Sequence, residues 1–380
     1  MTEQILLSPP HMSGREQDYI NEAFETNWIT TMGTNVTAFE QALADYDDVH
    51  YALTTNSGTA ALNLALLALG VRAGDLVFCQ SFTFIASANP VRYIGAELTF
   101  IDSEPTSWNM SPQALKRALA AAATRGRLPK AIIVVHLFGQ SADMPALKAI
   151  ADEYEVPIVE DAAESLGAEI AGRKSGTLGA IGIHSFNGNK MITTGGGGCM
   201  VTDVQAYHDR ALHLATQAKE ARPYYFHIDQ GYNYRLSNIA AGIGRAQLAE
   251  LDGYVAKRRQ LFDRYQAALG DYAGVQFQPE LPHARGTRWL TALTIEQDPW
   301  WVMQELAREQ IESRAVWKPL HQQPLFAGVP YYQHQPERDV CAEIFDHGLC
   351  LPSGSAMTDD QQDRVIRALQ GCLQPEEGRT

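Results

Sequence analysis

The chain has 380 residues, 45% hydrophobic and 19% charged, with a net charge of −14. Such a chain is globular and long enough for two domains, and its acidity argues against a broad nucleic-acid-binding surface. No apolar run approaches the ~20 residues of a membrane helix, and the start MTEQILLSPP lacks the regions of a secretory signal. Five scattered cysteines without metal-like spacing imply reduced thiols, no bound metal and a cytoplasmic protein.

In chain order, Ser13 is placed to cap a helix over about 15–26, and 27–33 reads as a loop. Val36, Phe39, Leu43 and Tyr46 share one face of a helix over 34–46. Asn56, Ser57, Gly58 and Thr59 then open a helix over 60–69 that is apolar nearly all round. Such a helix is buried, and its N-terminus can receive an anion. Residues 76–84 and 97–102 read as strands, and Ser111-Pro112 opens a helix to about 124. The continuous apolar run 131–135 is of the parallel-sheet type, Asp143 caps a helix over 145–154, and 157–160 is the next strand.

This alternation predicts an α/β fold, a mostly parallel sheet with helices on both faces. The pattern changes near a long charged helix over 250–269. A large unit is therefore expected over 1–249 and a smaller α/β unit over 250–380, with the first ~30 residues packing against the latter. The smaller unit shows strand-like 288–295, a helix over 301–310, strand-like 313–317 and a last helix after Thr358, where Thr358 and Gln361 have capping-box spacing.

Chemistry concentrates in HSFNGNKMITTGGGGCM (184–200). Lys190 follows an apolar strand over 180–186, and Gly195 to Gly198 precede a return strand at 199–201. Desolvation at such a strand end turns a lysine into a nucleophile able to form a Schiff base; a solvated hairpin lysine is the plain alternative. Asp161 ends another strand, where open α/β sheets hold ligands, and would otherwise cap a short helix. Ser57, Gly58 and Thr59 suit a phosphate, Phe84 can cover a flat ring, and Ser185 can add a hydroxyl; taken singly, an N-cap, a core aromatic and an inert serine are commoner. Together they match pyridoxal phosphate, which needs a lysine, a carboxylate at its ring nitrogen, an anion site and a flat neighbour.

The motifs NSGTAAL (56–62), SFTFIASANP (81–90), VHLFGQSADM (135–144), EDAAESLGA (160–168), SFNGNKMITTGGGG (185–198), YNYRLSN (232–238) and WKPLHQQPLF (317–326) occur in this order. In these the chain resembles the DegT/DnrJ/EryC1/StrS nucleotide-sugar aminotransferases, pyridoxal-phosphate enzymes of the type I (aspartate aminotransferase) fold. Within the family, LSPPHMSG (7–14), SFNGNK (185–190) and CLPSGSAM (350–357) are most similar to the 4-aminotransferases of the UDP-N-acetylbacillosamine pathway. That implies UDP-2-acetamido-2,6-dideoxy-hexos-4-ulose as substrate, L-glutamate as amino donor and a homodimer with active sites at the subunit interface.

By the same resemblance Lys190 is the Schiff-base lysine, Asp161 the ring-nitrogen partner, Phe84 the stacking aromatic, and Gly58, Thr59 and Ser185 phosphate ligands. Glu164 lies against the cofactor ring, and Asn233 reaches the neighbouring subunit's phosphate. The sugar nucleotide is expected to meet Ile29 and Thr30 of the 29–33 loop, Asn187, Arg235, Arg314, Trp317, Lys318 and His321. Gly196 stands where many relatives have Glu, and Thr30-Thr31-Met32 stands where Ala-Pro-Leu is expected in the subgroup.

Overall fold

A computed structural model describes residues 3–374; the last residues of the expected smaller unit, 375–380, lie outside it. Nine strands precede residue 250: β1 (Tyr51–Thr55), β2 (Leu76–Gln80), β3 (Glu97–Ile101), β4 (Ala131–Val135), β5 (Ile158–Asp161), β6 (Glu169–Ile170), β7 (Arg173–Lys174), β8 (Ile181–Ser185) and β9 (Gly198–Thr202). Six follow: β10 (Gln276–Phe277), β11 (Ala284–Arg285), β12 (Thr291–Thr294), β13 (Arg314–Ala315), β14 (Tyr331–Tyr332) and β15 (Gly348–Leu351).

The main sheet has the order β1-β9-β8-β5-β4-β2-β3-β14. From β14 to β8 every pairing is parallel, and β9 runs antiparallel to both β8 and β1. The parallel strands β2, β4 and β5 are buried along their whole length, as apolar strands covered on both faces must be. A second sheet, β10-β12-β15-β13, is antiparallel and packs with the helices Leu251–Leu269, Pro299–Arg308 and Asp359–Leu373 around its own apolar cluster. The last of these helices opens with the Thr358–Gln361 capping box that its sequence signals.

Residues beyond 250 are not confined to that second sheet. β14 joins the main sheet beside β3, and β11 pairs with β6. The N-terminal stretch also divides. Ile5 bridges Ile311, and Leu7 O accepts from Ser353 N at 2.8 Å, whereas the helix Glu16–Glu25 packs on Asn238–Ala249 of the large unit.

Local chemistry shifts three expected boundaries. The strand expected over 76–84 stops at Gln80, because Thr83 N turns back to Ser81 O and the Gln80 amide donates to Phe82 O. The strand expected over 288–295 narrows to β12, since Arg288 sits at φ 54°, outside the extended region. Ser13 is not the N-cap of the first helix; that position is Arg15. Glu16 does the capping instead, accepting from Ser13 N at 2.7 Å and Gly14 N at 2.9 Å. Cys79, Cys199, Cys341 and Cys350 are buried thiols, and no helix among the described residues is long and apolar enough to cross a membrane.

The buried helix Gly58–Ala68 meets β9 at a point where only glycine fits. A Cβ on Gly198 would lie 2.5 Å from Gly58 N and 2.6 Å from Gly58 Cα, whereas a Cβ on Gly196 would meet nothing within 4 Å. Gly198→Ala should therefore cost about 1–3 kcal/mol in thermal unfolding through overpacking, and Gly196→Ala should stay within about 0.5 kcal/mol of the parent. Equal stability of the two variants would contradict this packing.

Burial works against the Glu16 charge, but the Ser13 N–H and the Gln247 amide hold its pKa down at about 2. A depressed folded-state pKa contributes stability that is complete above about pH 4.5 and is lost as pH falls toward 2. Glu16→Gln should accordingly lower the urea midpoint at pH 6, with the gap to the parent narrowing below pH 4.5 and closing only as pH falls through about 2. A gap that is constant with pH would rule this out.

Candidate active site

The carboxyl ends of β5 and β8 and the start of the helix Gly58–Ala68 converge on a cavity of about 490 Å³. Asp161 is the last residue of β5, in register with Val135 of β4 and Ile183 of β8. Its Oδ2 accepts from Ser87 Oγ at 2.7 Å, and Ser87 is bonded in turn to Thr83 Oγ1 at 2.9 Å. Its Oδ1 accepts from Ala163 N at 3.2 Å. The carboxylate is thus buried and fixed in direction by residues of the cavity wall.

Beneath the cavity two further acids are wholly buried and paired. Glu160 accepts from His136 Nε2 at 2.8 Å and from the N–H groups of Gly176 and Leu178, and these bonds hold its pKa low against the opposing effect of burial. Asp47 sits 2.7 Å from His184 Nε2; burial alone would push the imidazole down, but the Asp47 charge raises it. This pair ties the helix Thr34–Asp47 to β8.

Lys190 lies in the turn after β8, with its N–H donating to Asn187 O at 3.0 Å. Its Nζ is 3.7 Å from Glu164 Oε1 and 4.2 Å from the centre of the Trp289 ring. Glu164 is wholly buried and accepts from Phe138 N at 2.8 Å. Burial pushes its carboxyl above the usual range, the Lys190 charge and the Phe138 N–H pull it back, and Asp161 adds to the rise.

At the opposite wall Ser57 caps its helix through Ala60 N at 3.1 Å, and Ala61 N takes Ser57 O. The N–H groups of Gly58 and Thr59 are left without an acceptor among the described residues, which is what an anion at a helix start requires. The Ser185 hydroxyl faces the same point: a Cβ on Gly58 would lie 3.3 Å from it. Phe84 is half exposed at the rim, with its ring 5.2 Å from Trp317, and Trp317 stacks on Phe138 at 6.2 Å.

The cavity therefore gathers Lys190, Asp161, Glu164, Gly58, Thr59, Ser185, Phe84, Asn187, Arg314 and Trp317 of the expected residues. It does not gather six others. Arg235 is engaged by Glu40 at 2.6 Å and Thr54 O at 3.1 Å. His321 bridges Ser81 and Asp339 while stacked on Tyr331. Lys318 points to Gln322 on the exposed face. Ile29, Thr30 and Asn233 are exposed outside the cavity. Asn56, Ser87 and Asn189, which lie inside quoted motifs, and Trp289, which lies outside them all, belong to the site without having been assigned a role from the sequence. The cluster Asp102, Asp339 and Cys341 has metal-type ligands, but the Asp102 oxygens accept from the N–H groups of Ser103, His334, Val340 and Cys341 and serve to anchor that loop.

A lysine amine, a fixed carboxylate, a free helix start and a flat aromatic around one cavity fit pyridoxal phosphate on its chemistry. The family model for the DegT/DnrJ/EryC1/StrS aminotransferase family matches residues 10–370. EpsN of Bacillus subtilis (strain 168), whose name assigns it provisionally to the pyridoxal phosphate-dependent aminotransferases, is 54% identical over 371 residues, 97% of this chain and 96% of its own. A GDP-perosamine synthase of Escherichia coli O157:H7 is 35% identical over 354 residues, covering 93% of this chain and 94% of its own. The crystal structure of a DegT DnrJ EryC1 StrS aminotransferase from Brucella abortus superposes with a TM-score of 0.88 at 31% identity, over 95% of this chain and 96% of that one. The chain belongs to the DegT/DnrJ/EryC1/StrS aminotransferase family, as a pyridoxal phosphate-dependent aminotransferase of the type I fold.

Proposed function

We propose that the protein transfers the amino group of L-glutamate to the C4 ketone of UDP-2-acetamido-2,6-dideoxy-hexos-4-ulose. The observation that carries the transferase reading is Lys190 Nζ facing a buried carboxylate across a cavity whose far wall is a helix start with free N–H groups. The sugar assignment rests on the stretches at 7–14, 185–190 and 350–357. The identity to a GDP-perosamine synthase supports a second reading, a GDP-linked keto sugar, and a dTDP-linked one is the third.

Within this reading Lys190 would hold the cofactor by its aldehyde, Asp161 its ring nitrogen, Gly58, Thr59 and Ser185 its phosphate, and Phe84 its ring face. When bound, pyridoxal phosphate supplies an electron sink for the pair left when a C–H bond beside nitrogen breaks. The chain's own part is positional and protonic. Lys190 Nζ would take a proton from the amino-bearing carbon and return it on the other side of the transfer, its side chain being largely shielded from solvent in the cavity wall. Asp161 keeps one direction because Ser87 and Ala163 N occupy its oxygens. Asn187, Arg314 and Trp317 at the rim offer an amide, a cation and an aromatic surface to the sugar nucleotide.

The working unit in this reading is a homodimer. Large apolar side chains stand exposed on two segments, Phe24, Trp28, Ile29 and Met32 on one and Tyr224, Tyr225, Phe226 and Ile228 on the other. Such clustered exposure favours a covered surface. Asn233, exposed beside Asn56 of the cavity wall, is then free to reach the partner's phosphate site, and Ile29 and Thr30 the partner's sugar site.

Incubation of the protein with glutamate and a panel of UDP-, GDP- and dTDP-linked keto sugars, read by mass spectrometry, should give one amino sugar with UDP. Lys190→Ala should lose the visible band of the bound cofactor and lower turnover by at least about 10²–10⁴-fold. Turnover retained in that variant with added pyridoxal phosphate would refute the lysine's role. Mixing inactive Lys190→Ala with Asn233→Ala should restore activity, since one site per mixed dimer then holds both residues; no restoration would place Asn233 in its own subunit's site or in none.

A further inference from the structure

Trp289 lies just before β12 in the smaller sheet, yet its ring forms part of the cavity floor and is 1% exposed. One indole makes two contacts with the lysine turn. Its Nε1–H donates to Asn189 O at 2.6 Å, fixing the backbone one residue before Lys190, while its face lies 4.2 Å from Nζ. Asn189 O accepts a second bond from Ser8 Oγ at 3.0 Å. Behind both, the wholly buried Arg258 donates to Trp289 O at 2.6 Å and to Ser8 Oγ at 3.1 Å. The only carboxylate within 4 Å of Nζ among the described residues is Glu164.

We propose that Trp289 is the resting seat of the Lys190 amine, a positioning residue whose ring face stabilises the charged amine between proton uptake and release. The inference rests on the reading of Lys190 as proton carrier. A lysine set free in a cavity is able to wander among rotamers. A carboxylate alone at that spot would pin the amine or take its proton. An aromatic face attracts the cation through its quadrupole without accepting a proton, so the amine is held and can still leave. The indole N–H keeps that face in register with the turn.

The test uses the protein loaded with pyridoxamine phosphate, in which no bond ties up the lysine. Acetic anhydride at sub-saturating dose and fixed pH modifies the uncharged amine, and peptide mass spectrometry reads Lys190 against Lys174 and Lys318 as internal references. Trp289→Leu should label at Lys190 about three- to thirtyfold faster than the parent, the range that a lost cation–π contact corresponds to. Trp289→Phe, which keeps a ring face, should stay within about twofold by the same measure. Uniform replacement of tryptophan by its mono-, di- and trifluoro forms weakens the face with little change in size; Lys190 labelling should rise with each fluorine, and this series decides the matter if Trp289→Leu does not fold. A Lys190 rate that is flat across the series, or that rises only together with the reference lysines, overturns the seat. A visible band persisting in Lys190→Ala would instead overturn the underlying role of the lysine, so the two failures are distinguishable.

Discussion

The site depends on a contact between two glycines. Gly58 and Gly198 allow the start of a buried helix to lie directly on β9, with Ser185 at the end of β8 closing the third side. No side chain separates them, so the unpaired N–H groups of the helix start, the Ser185 hydroxyl and the lysine turn share one small volume. The helix is apolar nearly all round, and the apolar area that drives its burial is non-directional. The glycines supply the direction: they set how deep the helix start may go.

Around that contact, the buried acids are held by hydrogen-bond partners. Glu160 has His136 and backbone N–H groups, Asp47 has His184, and Asp161 has Ser87 and Ala163 N. An unanswered buried charge is costly, so these pairs keep three carboxylates stable under the sheet's carboxyl ends. Asp47 has a partner on one oxygen only. Glu164 has a backbone N–H, and its lysine is too far away for a hydrogen bond; burial raises its carboxyl. It lies beside the reacting amine, and groups at functional sites are where such perturbation gathers.

Much of this was legible in the sequence, for physical reasons. The apolar run of five marked β4, the alternation of strands and helices marked β5 and the parallel class, and an apolar character nearly all round marked the buried helix, because burial leaves little other composition open. The lysine turn, Asp161 and the helix start could be found because each sits at the end of an element the pattern reveals. Ser87 and Trp289 could not, since they meet the site only after the chain has folded over 74 residues in one case and 100 in the other. Arg235 and His321 read as free cations for the same reason inverted: their partners Glu40 and Asp339 are distant in the chain or silent in the motif.

The smaller sheet is more than an appendage to this arrangement. Arg314 of β13 and Trp289 and Trp317, which flank the sheet's strands in the chain, line the cavity. Their support includes a fully buried guanidinium, Arg258, whose partners are the carbonyls of Trp289 and Ser353 and the Ser8 hydroxyl rather than a carboxylate. Burial lowers its pKa to about 10, which still leaves it charged at neutral pH. A hydrocarbon in that place would avoid the desolvation cost but could hold none of the three oxygens. Because Ser8 passes the connection on to Asn189 O, the N-terminal segment, the smaller sheet and the lysine turn are joined through one cation. A movement of the smaller sheet would therefore be felt at the amine through Trp289 and at the turn through Ser8, which gives the extended N-terminal segment a mechanical reason to lie where it does.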